Sequence, residues 1–145
     1  MMIEDDSGLA SVLAHYLEAR GHRTVIAASA EEANRLLAGG ARPDLVLLDI
    51  NLPDESGWAF LRSGVLEEAG CPPVFIMSAV NVTSARLHEF GCAGYLPKPF
   101  AISTLLAVVE RHSHPAGEPT GVASASAPRE SEEEIERLFE AGFDA

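Results

Sequence analysis

The sequence has few basic residues and no long apolar run, and each shortage excludes a class of function. Ten lysines and arginines stand against 22 aspartates and glutamates among 145 residues, so the formal net charge is −12 at pH 7. Such a surface repels phosphate backbones, and we expect no direct DNA binding. No apolar stretch approaches the roughly 18 residues that a membrane-spanning helix needs, and no basic and apolar leader opens the chain. We therefore expect a cytoplasmic protein without a membrane span.

Cysteines are also scarce. Cys71 and Cys92 have neither the spacing of a metal site nor that of a redox pair, so we expect isolated, reduced thiols. The length is that of one domain with a short appendage, and 47% hydrophobic residues suffice for a sizeable core. The composition indicates one ordinary globular domain.

Apolar runs alternate with helical periodicities along the chain. The predicted strands are 1–3, 24–27, 45–48, 74–77 and 94–96. The predicted helices are 7–20, the segment from Ser29 through Leu37, 58–69, 84–90 and 102–112. Gly21 is a predicted helix stop, Ser29 and Glu32 form a capping-box pattern, and Gly64 weakens the third helix. Short connections between these elements favour a doubly wound α/β fold with a mostly parallel five-stranded sheet covered by helices.

Polar residues stand where four of the predicted strands end: Glu4 and Asp5, Asp49, Ser78 and Lys98. In a doubly wound sheet, ligands lie beyond the carboxyl ends of the strands. Two aspartates brought together repel unless a cation neutralises them, and oxygen ligands alone suit a hard ion such as Mg²⁺. A lysine and a hydroxyl can bind further phosphoryl oxygens. Together these groups indicate phosphoryl transfer, with one carboxylate as the acceptor.

The segments around these residues resemble the receiver domains of response regulators in two-component signalling. The resemblance rests on IEDD at 3–6, LLDINLPD at 47–54 with Gly57, MSA at 77–79 and YLPKPF at 95–100, and it covers about residues 1–112. It implies a flavodoxin-like receiver fold with helices on both faces of the sheet and strand order 2-1-3-4-5. It also implies a phosphorylated switch rather than an enzyme, with at most slow autodephosphorylation.

The resemblance assigns an acceptor and a metal site. Asp49 would take a phosphoryl group from the phosphohistidine of a sensor histidine kinase or a histidine phosphotransfer protein. Mg²⁺ would be held by Asp5, Asp49 and the backbone carbonyl of Asn51, with Glu4 nearby through a water molecule.

The resemblance also assigns a switch. Lys98 would bind the phosphoryl group, Ser78 would turn toward it and Tyr95 would move inward with Ser78. Pro99, which follows a cis bond in many members of the family, would fix the loop of Lys98.

The sequence departs from the family pattern in three places. The first strand has only three residues before Glu4, and the interval from Ser78 to Lys98 is shorter than is typical of receivers. The missing residues fall before Arg86, so we expect a trimmed fourth helix or a tight entry loop, on a face through which receivers usually signal. Val80 is apolar where some fast-hydrolysing members carry a polar group, and we hypothesise slow self-dephosphorylation.

The last quarter of the chain changes character after the predicted domain, 1–112. Residues 113–129 are rich in Pro, Gly, Ala and Ser and predict a flexible linker. Residues 130–145 are acidic, and two interpretations remain open. They form either a disordered, solubilising tail or a short amphipathic helix that docks on a partner or on the receiver. The 33 residues after 112 are too few for a winged-helix output domain, so we expect a stand-alone receiver acting through contacts with an unidentified effector protein.

Several alternatives remain open from the sequence. A phosphorelay intermediate or phosphate sink fits equally well, and the short first strand leaves room for a degenerate receiver that is never phosphorylated. A Mg²⁺-dependent phosphatase of the haloacid-dehalogenase type is less favoured, since it needs an aspartate where Asn51 stands. A flavodoxin-like cofactor binder is excluded, because three carboxylates (4–6) replace its phosphate-binding loop.

Overall fold

The computed structural model describes residues 1–112, which form alternating strands and helices. The strands are β1 Met2–Ile3, β2 Ile26–Ala27, β3 Val46–Asp49, β4 Val74–Ser78 and β5 Gly94–Pro97. The helices are α1 Ser7–Ala19, α2 Ala30–Ala38, α3 Gly57–Arg62, α4 Val65–Glu68, α5 Ser84–Glu89 and α6 Ile102–His112. The predictions for the linker 113–129 and the tail 130–145 lie outside the described residues.

The five strands form one parallel sheet in the order β2-β1-β3-β4-β5, which confirms the predicted fold and topology. Successive side chains of a strand point to opposite faces, so each continuous apolar run supplies two cores. In β3, Leu47 joins a cluster with buried residues of α1 and α6, whereas Val46 and Leu48 join a second cluster with residues of α2, α3 and α4. Helices therefore cover both faces.

The predicted third helix, 58–69, is wrong as a single element. It is divided into α3 and α4 by Gly64, whose φ of +80° lies outside the helical region. Two strands are also very short: β2 begins at Ile26 rather than at residue 24, and β1 has only Met2 and Ile3. The sheet therefore has little hydrogen-bonded length around its first strand.

The helix-end signals are confirmed, with one change. Gly21 has a φ of +88° and donates its N–H to the Glu18 carbonyl at 3.0 Å, as in a common C-terminal capping motif. Ser29 Oγ accepts the N–H of Glu32 at 3.1 Å. The Glu32 carboxylate accepts the N–H of Ala28 at 3.2 Å rather than that of Ser29, so the capping box is shifted by one residue.

The cysteines are free thiols, as expected, with Cys71 exposed and Cys92 half-buried. Burial raises the pKa of the Cys92 thiol to about 11, which keeps it protonated and unreactive. Within residues 1–112, no helix is both long and apolar enough to cross a membrane.

Candidate functional site

The carboxyl ends of β1, β3 and β5 bring three charged side chains into contact. Lys98, which follows β5, places its Nζ 2.6 Å from Glu4 Oε1 and 3.2 Å from Asp49 Oδ2. Glu4 follows β1, and Asp49 ends β3, the neighbour of β1. Asp5 joins the group, since one carboxylate oxygen from each of Glu4, Asp5 and Asp49 lies within 4.8 Å of the others. Four residues that the sequence placed at strand ends therefore converge.

Two of these carboxylates are almost fully buried: Glu4 is 1% exposed and Asp49 is 5% exposed. Backbone groups hold both in place. The N–H of Asn51 donates to Asp49 Oδ1 at 3.0 Å, and the N–H of Asp6 donates to Glu4 Oε2 at 3.1 Å. Asp6 in turn caps α1 by accepting the N–H of Leu9 at 3.0 Å, which fixes the loop that carries Asp5.

The electrostatics of the site are those of crowded anions. Burial raises the pKa of Glu4 to about 7, and Asp49 adds to the rise, while Lys98 opposes it. Burial by itself lowers the pKa of Lys98, but its contacts with Glu4 and Asp49 outweigh burial, so the pKa lies above its usual value and the side chain stays cationic. When all are ionised, the three carboxylates and one ammonium leave two negative charges uncompensated. A site of oxygen ligands with that deficit fits a hard divalent cation.

The loop between β3 and α3, residues 50–57, is closed tightly on itself. The N–H of Gly57 donates to the Ile50 carbonyl at 2.8 Å, and Asn51 and Ser56 form an antiparallel bridge. A Cβ at Gly57 would lie 2.8 Å from the Asp49 carbonyl oxygen and 3.0 Å from Ile50 Cα. Only glycine fits there, and this packing gives the physical reason for the glycine that is part of the resemblance.

Ser78 and Tyr95 lie beside the charged group and contact each other through the loop after β4. Ser78 is buried, and its Oγ accepts the N–H of Val80 at 3.0 Å rather than contacting Asp49 or Lys98. The Tyr95 hydroxyl donates to the Val80 carbonyl at 3.0 Å and lies 3.4 Å from the Ser78 carbonyl. The N–H of Lys98 donates to that same Ser78 carbonyl at 2.8 Å. The bond between Lys98 and Pro99 is cis, in agreement with the resemblance.

An aromatic pair beside the site was not expected from the sequence. The rings of Trp58 and Phe90 are 4.8 Å apart, and the Arg86 guanidinium lies 5.0 Å and 5.2 Å from their centroids. Trp58 and Arg86 line a groove of about 250 Å³ that also reaches Ser78. No spacing rule connects these positions, because α3 and α5 meet only through tertiary packing. The six residues of α5 fall within the predicted helix 84–90, and a helix trimmed relative to other receivers stays a prediction.

Comparison with known proteins gives a consistent result. The family described as "Response regulator receiver domain" matches residues 1–110. The uncharacterized transcriptional regulatory protein YcbL of Bacillus subtilis (strain 168) is 38% identical over 112 residues, which cover 76% of this chain and 48% of that protein. The KDP operon transcriptional regulatory protein KdpE of Escherichia coli (strain K12) is 34% identical over 119 residues, 78% of this chain and 52% of that protein. The chain thus spans about half the length of these curated relatives.

A solved structure supports the same relationship. The receiver domain of the Francisella response regulator 1452 superposes with a TM-score of 0.66 at 27% identity, covering 76% of this chain and 91% of that one. The similarity therefore extends over nearly all of the domain that the structure describes.

Proposed function

The chain belongs to the response regulator receiver family, and from that premise we propose that Asp49 is its phosphoryl acceptor. The observation that carries the proposal is the position of Asp49: its Oδ2 lies 3.2 Å from the Lys98 ammonium, and its carboxylate shares a 4.8 Å cluster with Glu4 and Asp5. An acceptor oxygen is thus held beside a cation and beside ligands for a second cation.

The donor is the phosphohistidine of a sensor histidine kinase or of a histidine phosphotransfer protein. A carboxylate oxygen of Asp49 attacks the phosphorus, the new P–O bond forms as the P–N bond breaks, and the released imidazole takes up a proton. Lys98 lies close enough to Asp49 to bind an oxygen of the transferred group. Burial of Asp49 keeps bulk water away from the acyl phosphate.

The metal site follows from the same residues. Asp5, Asp49 and the backbone carbonyl of Asn51 would hold Mg²⁺, with Glu4 acting through water. When bound, Mg²⁺ supplies positive charge that stabilises the phosphoryl oxygens during transfer. Two features of the cluster support this assignment. Its metal-binding atoms are all carboxylate oxygens, and its three carboxylates together with Lys98 carry a net charge of −2 when ionised.

The consequence of phosphorylation is a change in protein contacts. We propose that Ser78 leaves its hydrogen bond with the Val80 N–H to reach the phosphoryl group, and that Tyr95 leaves the Val80 carbonyl and moves inward. The net charge of −12 argues for a protein effector rather than DNA. A phosphorelay intermediate or phosphate sink would use the same chemistry and would differ only in its partner.

The test is intact mass after incubation with a small phosphodonor and Mg²⁺. We expect one phosphoryl adduct on the wild type and none on Asp49→Asn or after chelation of the metal. Asp44→Asn is a matched control, since Asp44 is exposed and lies at the opposite end of β3; it should be phosphorylated like the wild type.

Other outcomes discriminate among the alternatives. No adduct on folded wild type, either from the small donor or from a phosphorylated histidine phosphotransfer protein, would identify a degenerate receiver. Steady turnover of small phosphate esters without an adduct would favour a phosphatase.

A further inference from the structure

Asp54, at the tip of the loop after the acceptor strand, caps a helix far from it in sequence. Its Oδ1 accepts the N–H of Ala30 at 3.1 Å and its Oδ2 accepts the N–H of Glu31 at 2.8 Å. These are the first two residues of α2, and the third, Glu32, donates to Ser29 Oγ at 3.1 Å. The N–H groups of the first three residues of α2 therefore all have hydrogen-bond acceptors. Two of these acceptors are oxygens of one carboxylate, which lies at the positive end of the helix.

Asp54 belongs to the same closed loop, residues 50–57, that carries Asn51. The base of this loop is closed by the hydrogen bond from the Gly57 N–H to the Ile50 carbonyl and by the bridge between Asn51 and Ser56. Leu52 packs against the apolar cluster on the α2 face of the sheet. The tip is held from outside by Asp54, because its two oxygens are bonded to a separate helix. The loop is thus anchored at its base, its middle and its tip.

We propose that Asp54 is a positioning residue for the metal site: by binding the first turn of α2, it holds the loop of residues 50–57, and with it Asn51, in place beside Asp49. This inference rests on the proposed function, since it assigns a support to one of the ligands named there. The N–H of Glu31 contributes most to holding the pKa of Asp54 below its usual value, so the carboxylate is ionised at neutral pH. Ionised, it makes two charge-assisted hydrogen bonds that a neutral side chain makes less strongly.

The test compares Asp54→Ala and Asp54→Asn with Glu55→Gln. Glu55 is the exposed neighbouring acid, so its substitution removes the same charge without removing the link to α2. Trp58 is the one tryptophan of the chain and lies near Ser78 along the groove, so its fluorescence reports a Mg²⁺ titration. Titrations are run well below the unfolding midpoint of each variant. Hydrogen exchange of the amides of Ala30, Glu31, Asn51 and Gly57 is measured in parallel.

We expect Asp54→Ala to bind Mg²⁺ about ten-fold more weakly, the lower end of the effect of removing groups that orient metal ligands. Asp54→Asn should lie between it and the wild type, because the amide keeps one acceptor oxygen. Glu55→Gln should bind as the wild type does. Exchange should accelerate in Asp54→Ala at Asn51 and Gly57 as well as in α2.

Equal Mg²⁺ affinity in Asp54→Ala and Glu55→Gln, with faster exchange confined to Ala30 and Glu31, would overturn the proposal and leave Asp54 as a helix cap only. Absence of Mg²⁺ binding in the wild type would instead contradict the proposed metal site. In that case the exchange of Asn51 and Gly57 still decides whether Asp54 positions the loop. If Asp54→Ala does not fold, Asp54→Asn gives the same comparison.

Discussion

Lys98 and Glu4, 94 residues apart in the chain, form a partly buried ion pair in which Nζ and Oε1 are 2.6 Å apart. The resemblance assigned Lys98 to the phosphoryl group and Glu4 to a water of the metal. The structure adds that Glu4 contacts Lys98 directly, with the ammonium shared between Glu4 and Asp49. A phosphoryl group on Asp49 must therefore compete with Glu4 for this lysine.

Replacing Lys98 with methionine should destabilise the metal-free protein. Removing one partner of a buried ion pair costs about 3–5 kcal/mol, and we expect about 2–3 kcal/mol near pH 8, since the Lys98 side chain is still 21% exposed. The loss should be smaller near pH 6, because Glu4, with its pKa raised to about 7, can be protonated there. Urea unfolding at both pH values measures this. Arg111→Met, which removes an exposed cation, is the control, and an equal loss in both variants would contradict the role of the pair.

Gly57→Ala should distort the loop between β3 and α3, residues 50–57. The new Cβ would meet backbone atoms of Asp49 and Ile50 at 2.8 Å and 3.0 Å, so the loop must move. We expect a loss of about 1–3 kcal/mol in the free energy of unfolding, together with weaker Mg²⁺ binding. Gly8→Ala is the matched control. Its Cβ would lie 3.4 Å from Asp6 Oδ1, and alanine in α1 should stabilise by up to about 1 kcal/mol. Unchanged stability of Gly57→Ala would refute the close approach.

His22 should contribute a loss of stability in mildly acidic solution, in the opposite sense to Glu4, whose raised pKa makes the folded chain take up a proton over the same range. His22 is 7% exposed, and its Nε2 has no hydrogen-bond partner within the part of the chain that the structure describes. Burial lowers the pKa of His22, Arg20 lowers it further and Glu110 opposes them. Below the ordinary pKa of 6.5, His22 therefore takes up a proton in the unfolded chain but not in the folded chain. Its contribution to the free energy of unfolding decreases as the pH falls toward the lowered pKa of the folded state.

Urea unfolding between about pH 7.5 and about pH 5.5 checks this prediction. As the pH falls over that interval, the wild type should lose more stability, or gain less, than His22→Gln, which has no group to titrate at this position. His88→Gln, at an exposed histidine, should follow the wild type. If the free energy of unfolding had the same pH dependence in the wild type and in His22→Gln, the lowered pKa of the buried His22 imidazole would be contradicted.

Val80→Asn should shorten the lifetime of the phosphorylated protein. Val80 is 71% exposed and stands two residues after Ser78, so an amide there can orient water at the site. An amide can orient the attacking water but does not take up its proton, so we expect an acceleration of about ten-fold, below the roughly 100-fold or more of a general acid–base group. Loss of the adduct is followed by intact mass after removal of the donor. Val25→Asn, at another exposed apolar residue, should leave the lifetime unchanged, whereas a wild-type half-life of seconds would contradict the slow hydrolysis proposed here.

The elements and the ends of the strands could be predicted from local pattern. The run Leu45–Leu48 is apolar throughout because a central parallel strand is buried on both faces, and Asp49 marks where it ends. The same pattern located Ser78 after the run 74–77. Strand-end residues of a parallel sheet share one edge, so the approximate position of the site followed from the chain alone.

Local sequence pattern did not predict the features that depend on the backbone angle of a single residue or on contacts between distant parts of the chain. Periodicity over 58–69 predicts one helix, yet Gly64 adopts a positive φ there and α3 separates from α4, since hydrophobic spacing does not specify a backbone angle. The contact of Lys98 with Glu4 joins two residues that are 94 positions apart in the sequence. The capping of α2 by Asp54 joins residues that are 23 and 24 positions apart. The sequence by itself determined the alternating elements and the set of polar residues at one edge of the sheet. Only the tertiary structure decided which of them touch, because partners this distant meet only when strand order and helix packing bring them together.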